Sequence, residues 1–275
     1  MISREFGVLK LRASEDAPAA ARQLEAEGWA MVPGVLGPDE AATLKAEIDH
    51  VFDATEPSRD RARTETDEFR YAILNDSPLC QKAVGHPRIL EVIEPLLGED
   101  CHVIANTAWR NHEGHQGGPW HIDAGPHIPR PEGVPWPDEI PYPVFVIGMH
   151  LYLEDCPMEA GPTAVVPGSH RSGRWPEGGF QGERDPDYDG RPPVYLTAKA
   201  GDAGFFVSDA WHRGTPAEPG YRRHFLQAHY GRRDIAQRLI PTDQVNSLTE
   251  AAKARAETER ERTLAGLHKP FFYDG

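Results

Sequence analysis

The sequence predicts a mainly β fold, a sandwich or jelly roll, with α-helices packed on its outside. From about residue 101 onwards the chain consists of short strand-like runs separated by Gly and Pro. The 275 residues include 26 Gly and 26 Pro, a supply of turn-forming residues that disfavours an all-helical bundle. The strand-like runs do not alternate with helices, so a parallel sheet built from βαβ units is not expected.

The first third of the chain has the pattern of helices. Ser14 is the expected N-cap of a first helix that ends at Gly28. Pro38 begins a second helix, whose apolar residues recur at helical spacing. A third helix is expected from about Pro87 to Leu97, ending at Gly98, and a charged, alanine-rich C-terminal helix from about Thr242 to His268. The apolar stripe of the second helix consists of Leu44, Ile48, Val51 and Phe52.

Seven strands are expected in the central part of the chain. Two long connections join them, 124–143 with seven prolines and 171–192, and connections of that length are often covers over a site, so we expect substrate contacts there. The expected strands lie near Cys101–Arg110, Pro119–Asp123, Val144–Leu153, Thr163–Val166, Val194–Thr197, Gly204–Ser208 and Tyr221–Tyr230.

Together these elements predict one domain over residues 1–275. Its N-terminal helices occupy about 15–98, the jelly-roll core about 101–232 and a C-terminal helical tail about 233–275. A chain of this size can bury one large core.

Charge and hydropathy exclude several classes of protein. The net charge of −14 argues against a nucleic-acid binder, which needs a basic surface. No apolar run approaches the ~20 residues that span a bilayer, so no membrane partner is expected. The N-terminal residues lack the apolar region of a secretory signal, and three scattered cysteines do not suggest disulfides. We therefore expect a cytoplasmic protein.

The first candidate site is the tetrapeptide Trp120-His121-Ile122-Asp123. In a strand, residues i and i+2 project to the same face, so His121 and Asp123 can converge on one ion. An imidazole nitrogen and a carboxylate oxygen suit a divalent ion such as Fe(II). A His-x-Asp tripeptide is common by chance, and this pair alone is weak support for a metal site.

A third ligand is expected far along the chain. His212 follows the apolar run Ala203–Val207 and therefore falls at the end of a predicted strand. Two histidines and one carboxylate, with the third ligand distant in sequence, match the 2-His-1-carboxylate triad of non-haem Fe(II) oxygenases. Such a triad occupies one face of the ion and leaves the other positions open for a co-substrate and dioxygen.

An arginine is expected beside His212. The turn Gly214–Gly220 reverses the chain into Tyr221–Tyr230, so the start of the returning strand lies beside the end of the outgoing one. A guanidinium there can hold a dicarboxylate through two parallel hydrogen bonds while the other end of that molecule chelates the metal. Because neighbouring side chains in a strand face opposite sides, only one of Arg222 and Arg223 points inward.

Three blocks of the sequence are similar to the phytanoyl-CoA dioxygenase (PhyH-like) family of Fe(II)/2-oxoglutarate oxygenases. They are Trp120–Asp123, Glu159–His170, which ends in Pro-Gly-Ser-His, and Gly201–Arg223. The segment Gly28–Ile48 also resembles the usual opening of the family. The resemblance covers roughly residues 20–232, most of the chain.

This resemblance implies a double-stranded β-helix, a cupin-like jelly roll, with helices outside. It implies Fe(II) held by His121, Asp123 and His212, and a catalytic cycle that uses 2-oxoglutarate and O₂. The arginine that binds 2-oxoglutarate in the family commonly lies eleven residues after the second histidine, which favours Arg223 over the alternative Arg222. The carboxylate of Asp123 distinguishes hydroxylases from halogenating relatives, which have a small residue at that position.

Further contacts to the co-substrate are expected from three side chains. The Thr163 hydroxyl and the Trp109 ring are candidates, and Trp109 could equally face the substrate. Many relatives have Ser two residues after the distal histidine, where this chain has Gly214, so Thr215 is the candidate for that hydroxyl. His150 is expected on the face of its strand opposite to Met149, as a core histidine or a co-substrate contact.

The function expected from these features is that of a dioxygenase that hydroxylates, or otherwise oxidises, a small molecule while 2-oxoglutarate and O₂ are converted to succinate and CO₂. One alternative is a metal-dependent cupin isomerase or lyase that does not use 2-oxoglutarate. Arg223 weighs against this alternative, because an inward guanidinium without a dicarboxylate partner would be a costly buried charge. A second alternative is a binding or structural jelly roll without metal.

Overall fold

A computed structural model describes residues 13–54, 66–123, 125–137, 139–176, 185–235 and 248–267. Most of the long helices lie in the N-terminal third, as the sequence predicts. Among the described residues, no helix is both long enough and apolar enough to cross a bilayer. The helices are α1 (Ala19–Glu27), α2 (Pro38–Ala54), α3 (Pro78–Ala83), α4 (Pro87–Leu97), α5 (Glu250–Ala254) and α6 (Glu259–Leu264).

The helix ends follow the sequence signals at most positions. α1 ends at Gly28, which has a φ of 79°, and α4 begins at a proline and ends at Gly98. The prediction of Ser14 as an N-cap is wrong: α1 begins after Pro18 without a side-chain cap, and Ser14 lies in a preceding turn. The predicted C-terminal helix is divided into the short helices α5 and α6, and its residues 242–247 lie outside the described part of the chain.

Two antiparallel sheets form the centre of the molecule. Their strands are β1 (Trp29–Val32), β2 (Asp67–Tyr71), β3 (His102–Asn111), β4 (Val146–Tyr152), β5 (Thr163–Val165), β6 (Val194–Tyr195), β7 (Ala203–Val207), β8 (His212–Gly214) and β9 (Arg223–Gly231). The larger sheet has the strand order β1-β7-β4-β9-β3-β2, and the smaller one has the order β6-β5-β8. This arrangement is the double-stranded β-helix, with mainly β structure and flanking helices.

One predicted strand does not form in full, and three strands of the structure, β1, β2 and β8, are absent from the prediction. The segment Pro119–Asp123 forms only an isolated bridge at His121 instead of a full strand. Edge strand β2 is absent from the prediction because its sequence, Asp-Glu-Phe-Arg-Tyr, is highly charged. It is stable as a strand because its charges find partners: buried Glu68 pairs with Arg70 at 3.3 Å and with Arg110 at 2.8 Å.

The large sheet separates an apolar core from the interior of the β-helix. Alternation along β4 and β9 places Met149 and Leu226 on the outer face, where they join a core with α1, α2 and α4. On the inner face, Phe206 of β7 packs against Val165 of the small sheet. Four polar residues of β4 and β9 lie on the opposite face, toward the space between the sheets: His150, Arg223, Gln227 and His229.

Candidate active site

His121, Asp123 and His212 meet at one end of the β-helix. His121 and His212 are paired across a backbone bridge, with N–H···O distances of 2.9 Å in both directions. Two residues after His121, the backbone N–H of Asp123 donates to the Ser208 carbonyl and holds Asp123 in place. One nitrogen or oxygen atom from each of the three side chains lies within 4.8 Å of the others, a group that can hold a metal ion.

Hydrogen bonds orient both imidazoles toward the centre of this group. The Nδ1–H of His121 donates to the Pro119 carbonyl at 2.8 Å, and that of His212 donates to the Ala210 carbonyl at 2.9 Å. Since a carbonyl oxygen only accepts, Nδ1 carries the proton and Nε2 is left with a free lone pair. Asp123 Oδ1 lies 3.4 Å from His212 Nε2 and 3.9 Å from His121 Nε2. Metal-binding histidines are commonly oriented in this way.

The electrostatics of the group favour a bound cation. Burial alone would raise the pKa of Asp123, but the charges and hydrogen bonds of His212 and His229 outweigh burial and keep the pKa well below its ordinary value. Burial and the neighbouring His212 lower the pKa of His121 to about 4, so this imidazole is neutral. Burial opposes ionisation of His212, but Asp123 raises its pKa. A metal ion would take the place of that proton.

One side of the group is open. The side chain of His121 is 33% exposed, whereas Asp123 and His212 are 13% and 5% exposed. The buried ring of Phe206 packs against His212, with the two ring centroids 4.4 Å apart. A substrate can therefore approach past His121.

The two candidate arginines point in opposite directions. Arg222 is exposed and pairs with Glu154 at 2.7 Å. Arg223 lies inside the β-helix with 5% exposure; its Nη1 donates to the Gly161 carbonyl at 2.7 Å and its Nε has no partner among the described residues. Burial lowers the pKa of Arg223, and within the described part of the chain no carboxylate lies within 4.0 Å of its guanidinium.

Gly214 gives room to this guanidinium. A Cβ atom at residue 214 would lie 3.0 Å from Nη2 of Arg223. A side chain at residue 214 would therefore require the guanidinium to shift by a few tenths of an ångström.

The other predicted co-substrate contacts already have hydrogen-bond partners within the protein. Thr215 donates its hydroxyl to the Pro162 carbonyl at 2.6 Å, and the indole N–H of Trp109 donates to Oε1 of Gln227 at 2.8 Å. Neither group has a hydrogen left to donate to a co-substrate. Thr163 lies 3.1 Å from Nδ1 of His150, inside the β-helix.

Near Arg223, Tyr152 is absent from the sequence prediction, whereas His150 is expected as a core histidine or a co-substrate contact. Nε2 of His150 and the hydroxyl of Tyr152 are buried without partners among the described residues. Both rings pack around Phe225, whose ring lies 4.8 Å from the Arg223 guanidinium carbon. His229 was also not selected, although alternation from Arg223 places it on the inner face.

One family of known proteins matches most of the chain. The sequence profile described as "Phytanoyl-CoA dioxygenase (PhyH)" matches residues 24–224. No curated protein sequence matches the chain.

Several solved structures share the fold. The epimerase SnoN in complex with Fe³⁺, alpha ketoglutarate and nogalamycin RO has a TM-score of 0.63 and 22% identity, covering 84% of this chain and 89% of SnoN. The carbocyclase SnoK from nogalamycin biosynthesis has a TM-score of 0.57 and 21% identity, covering 81% and 87%. HygX from Streptomyces hygroscopicus, with nickel and 2-oxoglutarate bound, has a TM-score of 0.58 and 15% identity, covering 78% and 86%.

Proposed function

The chain belongs to the phytanoyl-CoA dioxygenase family, and from this premise we propose that it is an Fe(II)- and 2-oxoglutarate-dependent oxygenase that hydroxylates a small molecule. The observation that carries the proposal is the group formed by His121, Asp123 and His212, whose ligand atoms lie within 4.8 Å of one another. Two imidazoles and one carboxylate on one face are the ligand set that non-haem Fe(II) oxygenases use.

The residues around the site fit an iron ion. Both histidines present Nε2 because their Nδ1–H groups are occupied by backbone carbonyls. Asp123 supplies the negative charge that a divalent cation requires. Three protein ligands leave coordination positions for a chelating co-substrate and dioxygen.

The residues around Arg223 fit the distal carboxylate of 2-oxoglutarate. A buried guanidinium without a carboxylate partner is costly, and a dicarboxylate that binds it would remove that cost. The unpartnered Nε2 of His150 and hydroxyl of Tyr152 lie in the same inner region and can donate to the same anion. These groups weigh against a cupin isomerase or lyase, which would leave them without a function.

With iron and 2-oxoglutarate bound, the site would supply the dioxygen chemistry that yields succinate and CO₂ and cleaves a substrate C–H bond. The chain's own residues perform positioning and exclusion. Arg223 fixes the co-substrate at its distal end, and the ring of Phe206 packs against that of His212. Asp123 occupies the position at which halogenating relatives have a small residue, so hydroxylation is favoured over halogenation.

The metal and co-substrate are tested together by anaerobic titration of the Fe(II)-loaded protein with 2-oxoglutarate. Chelation of Fe(II) by the keto acid should produce a weak visible charge-transfer band in the wild type and none in His121→Ala. A wild-type protein that binds Fe(II) but develops no band would favour the cupin isomerase or lyase.

The reaction outcome is tested by a screen of small metabolites for substrate-stimulated succinate release. Mass spectrometry of the product then distinguishes the outcomes. Hydroxylation adds one oxygen atom, epimerisation leaves the mass unchanged and ring closure removes two hydrogens. The last two are second candidates because two structures with this fold are named as an epimerase and a carbocyclase.

A further inference from the structure

His229 contacts the metal-binding carboxylate from the inner face of the large sheet. It lies on β9, on the same face as Arg223, and is 7% exposed. Its neighbours across the two adjacent strands are Ala105 and Gly148. Because both are small, the imidazole has room to extend toward Asp123.

The two oxygens of Asp123 have different partners. Oδ2 lies 3.0 Å from Nε2 of His229. Oδ1 faces the other side, 3.4 Å from Nε2 of His212 and 3.9 Å from Nε2 of His121. An ionised carboxylate only accepts hydrogen bonds, so Nε2 of His229 is the donor in this contact. The hydrogen bond therefore fixes the rotation of the carboxylate about its Cβ–Cγ bond.

We propose that His229 is a positioning residue that makes Asp123 bind the metal through one oxygen only. With Oδ2 engaged by His229, the carboxylate cannot chelate the ion through both oxygens. The coordination position that chelation would occupy stays open for the co-substrate or dioxygen. This inference rests on the proposed function, because it assumes that the three-residue group holds a metal.

His229 is not a fourth ligand in this arrangement. The group whose ligand atoms all lie within 4.8 Å of one another consists of His121, Asp123 and His212, and among the described residues His229 does not join it. His229 would therefore affect metal binding only through its hydrogen bond to Asp123. Residues that hydrogen-bond to metal ligands commonly act in this way.

The experiment compares four metal-free proteins: wild type, His229→Leu, His229→Gln and His224→Leu. Each is titrated with Co(II), which is followed by its visible absorption. The glutamine amide can place a donor near the position of Nε2, whereas leucine cannot. His224 is the matched control, since it is a buried histidine on the same strand but on the outer face. Far-UV circular dichroism and melting without metal check folding.

We expect His229→Leu to bind Co(II) about 10- to 100-fold more weakly than the wild type, with an altered spectrum. His229→Gln and His224→Leu should bind within a few-fold of the wild type. If His229→Leu does not fold, His229→Asn takes its place, because the shorter amide does not reach the position of Nε2, and the same loss is expected.

Two results would overturn the inference while leaving the proposed function intact. One is wild-type affinity and spectrum in His229→Leu or its replacement. The other is a loss in His229→Gln as large as that in His229→Leu. A wild-type protein that does not bind Co(II) would instead refute the metal site itself, and this inference with it.

Discussion

Replacing Arg223 with Met tests the proposed co-substrate site most directly. Methionine keeps much of the length of the side chain but removes the guanidinium. A hydrogen bond to a charged group contributes about 1.5–3 kcal/mol, and a guanidinium can make two of them to one carboxylate. Since each 1.4 kcal/mol is a factor of ten, Arg223→Met should weaken 2-oxoglutarate binding by about 10²- to 10⁴-fold.

The assay is the anaerobic charge-transfer titration with 2-oxoglutarate, and Arg222→Met is its matched control. Arg222 is the adjacent arginine on the outer side, and its side chain is 62% exposed in an ion pair with Glu154. Exposed ion pairs contribute about 1 kcal/mol or less to stability. Arg222→Met should therefore leave both stability and the titration nearly unchanged.

Arg223→Met should not destabilise the ligand-free protein, and this separates a binding defect from a folding defect. Replacing a buried charge with an apolar side chain of similar volume is often neutral or stabilising by about 1–4 kcal/mol. Against this gain stands about 1 kcal/mol for the lost hydrogen bond to the Gly161 carbonyl. We expect an unchanged or higher melting temperature in Arg223→Met. Wild-type affinity for 2-oxoglutarate in this variant, or equal losses in both variants, would refute the reasoning.

Three further predictions follow from individual contacts. A Cβ atom at Gly148 would lie 2.6 Å from Phe206 Cζ, so Gly148→Ala should lower the free energy of unfolding by about 1–3 kcal/mol, as a thermal melt would show. The control is Gly118→Ala, whose Cβ would have no atom within 4 Å and which should lower it by no more than about 0.5 kcal/mol. Burial and then the charge of a neighbouring arginine lower the pKa of His170 to about 4. Its folded-state pKa is below the unfolded value, so the free energy of unfolding should fall as the pH drops from about 6.5 toward 4. Urea unfolding at pH 6.5 and at pH 4 measures this fall, which should be smaller in His170→Gln than in the wild type by up to about 3 kcal/mol. His121→Ala should retain no stoichiometric Fe(II) after desalting, as metal analysis would show; retention at the wild-type ratio would contradict the three-ligand site.

Local patterns predict much of the fold. The strand-like runs from residue 101 onwards correspond closely to β3, β4, β5, β7 and β9, because alternation and bounding turns are properties of short segments. Local patterns do not predict strand β2, because its charged side chains are buried through contacts with residues outside the segment. Arg70 donates to the Phe52 carbonyl and contacts Glu68, and Glu68 in turn contacts Arg110.

The candidate site divides in the same way. The residue types of the three candidate ligands follow from the His-x-Asp spacing and from the strand before His212, whereas the strand expected over Pro119–Asp123 is only an isolated bridge at His121. The contact between His229 and Asp123 does not, because it joins residues 106 positions apart. The contact between Arg223 and the Gly161 carbonyl, across 62 positions, is equally invisible in the sequence.

The sequence by itself determined which side chains can bind a metal or a carboxylate and that Arg222 and Arg223 lie on opposite faces of their strand, because a two-residue repeat and a turn are local properties. Only the tertiary structure decided that Arg222 lies outside and Arg223 inside, that the lack of a side chain at Gly214 leaves room for the guanidinium and that one oxygen of Asp123 contacts His229. Those outcomes depend on the register between strands that are distant in the chain, and register is set by the packing of the whole sheet.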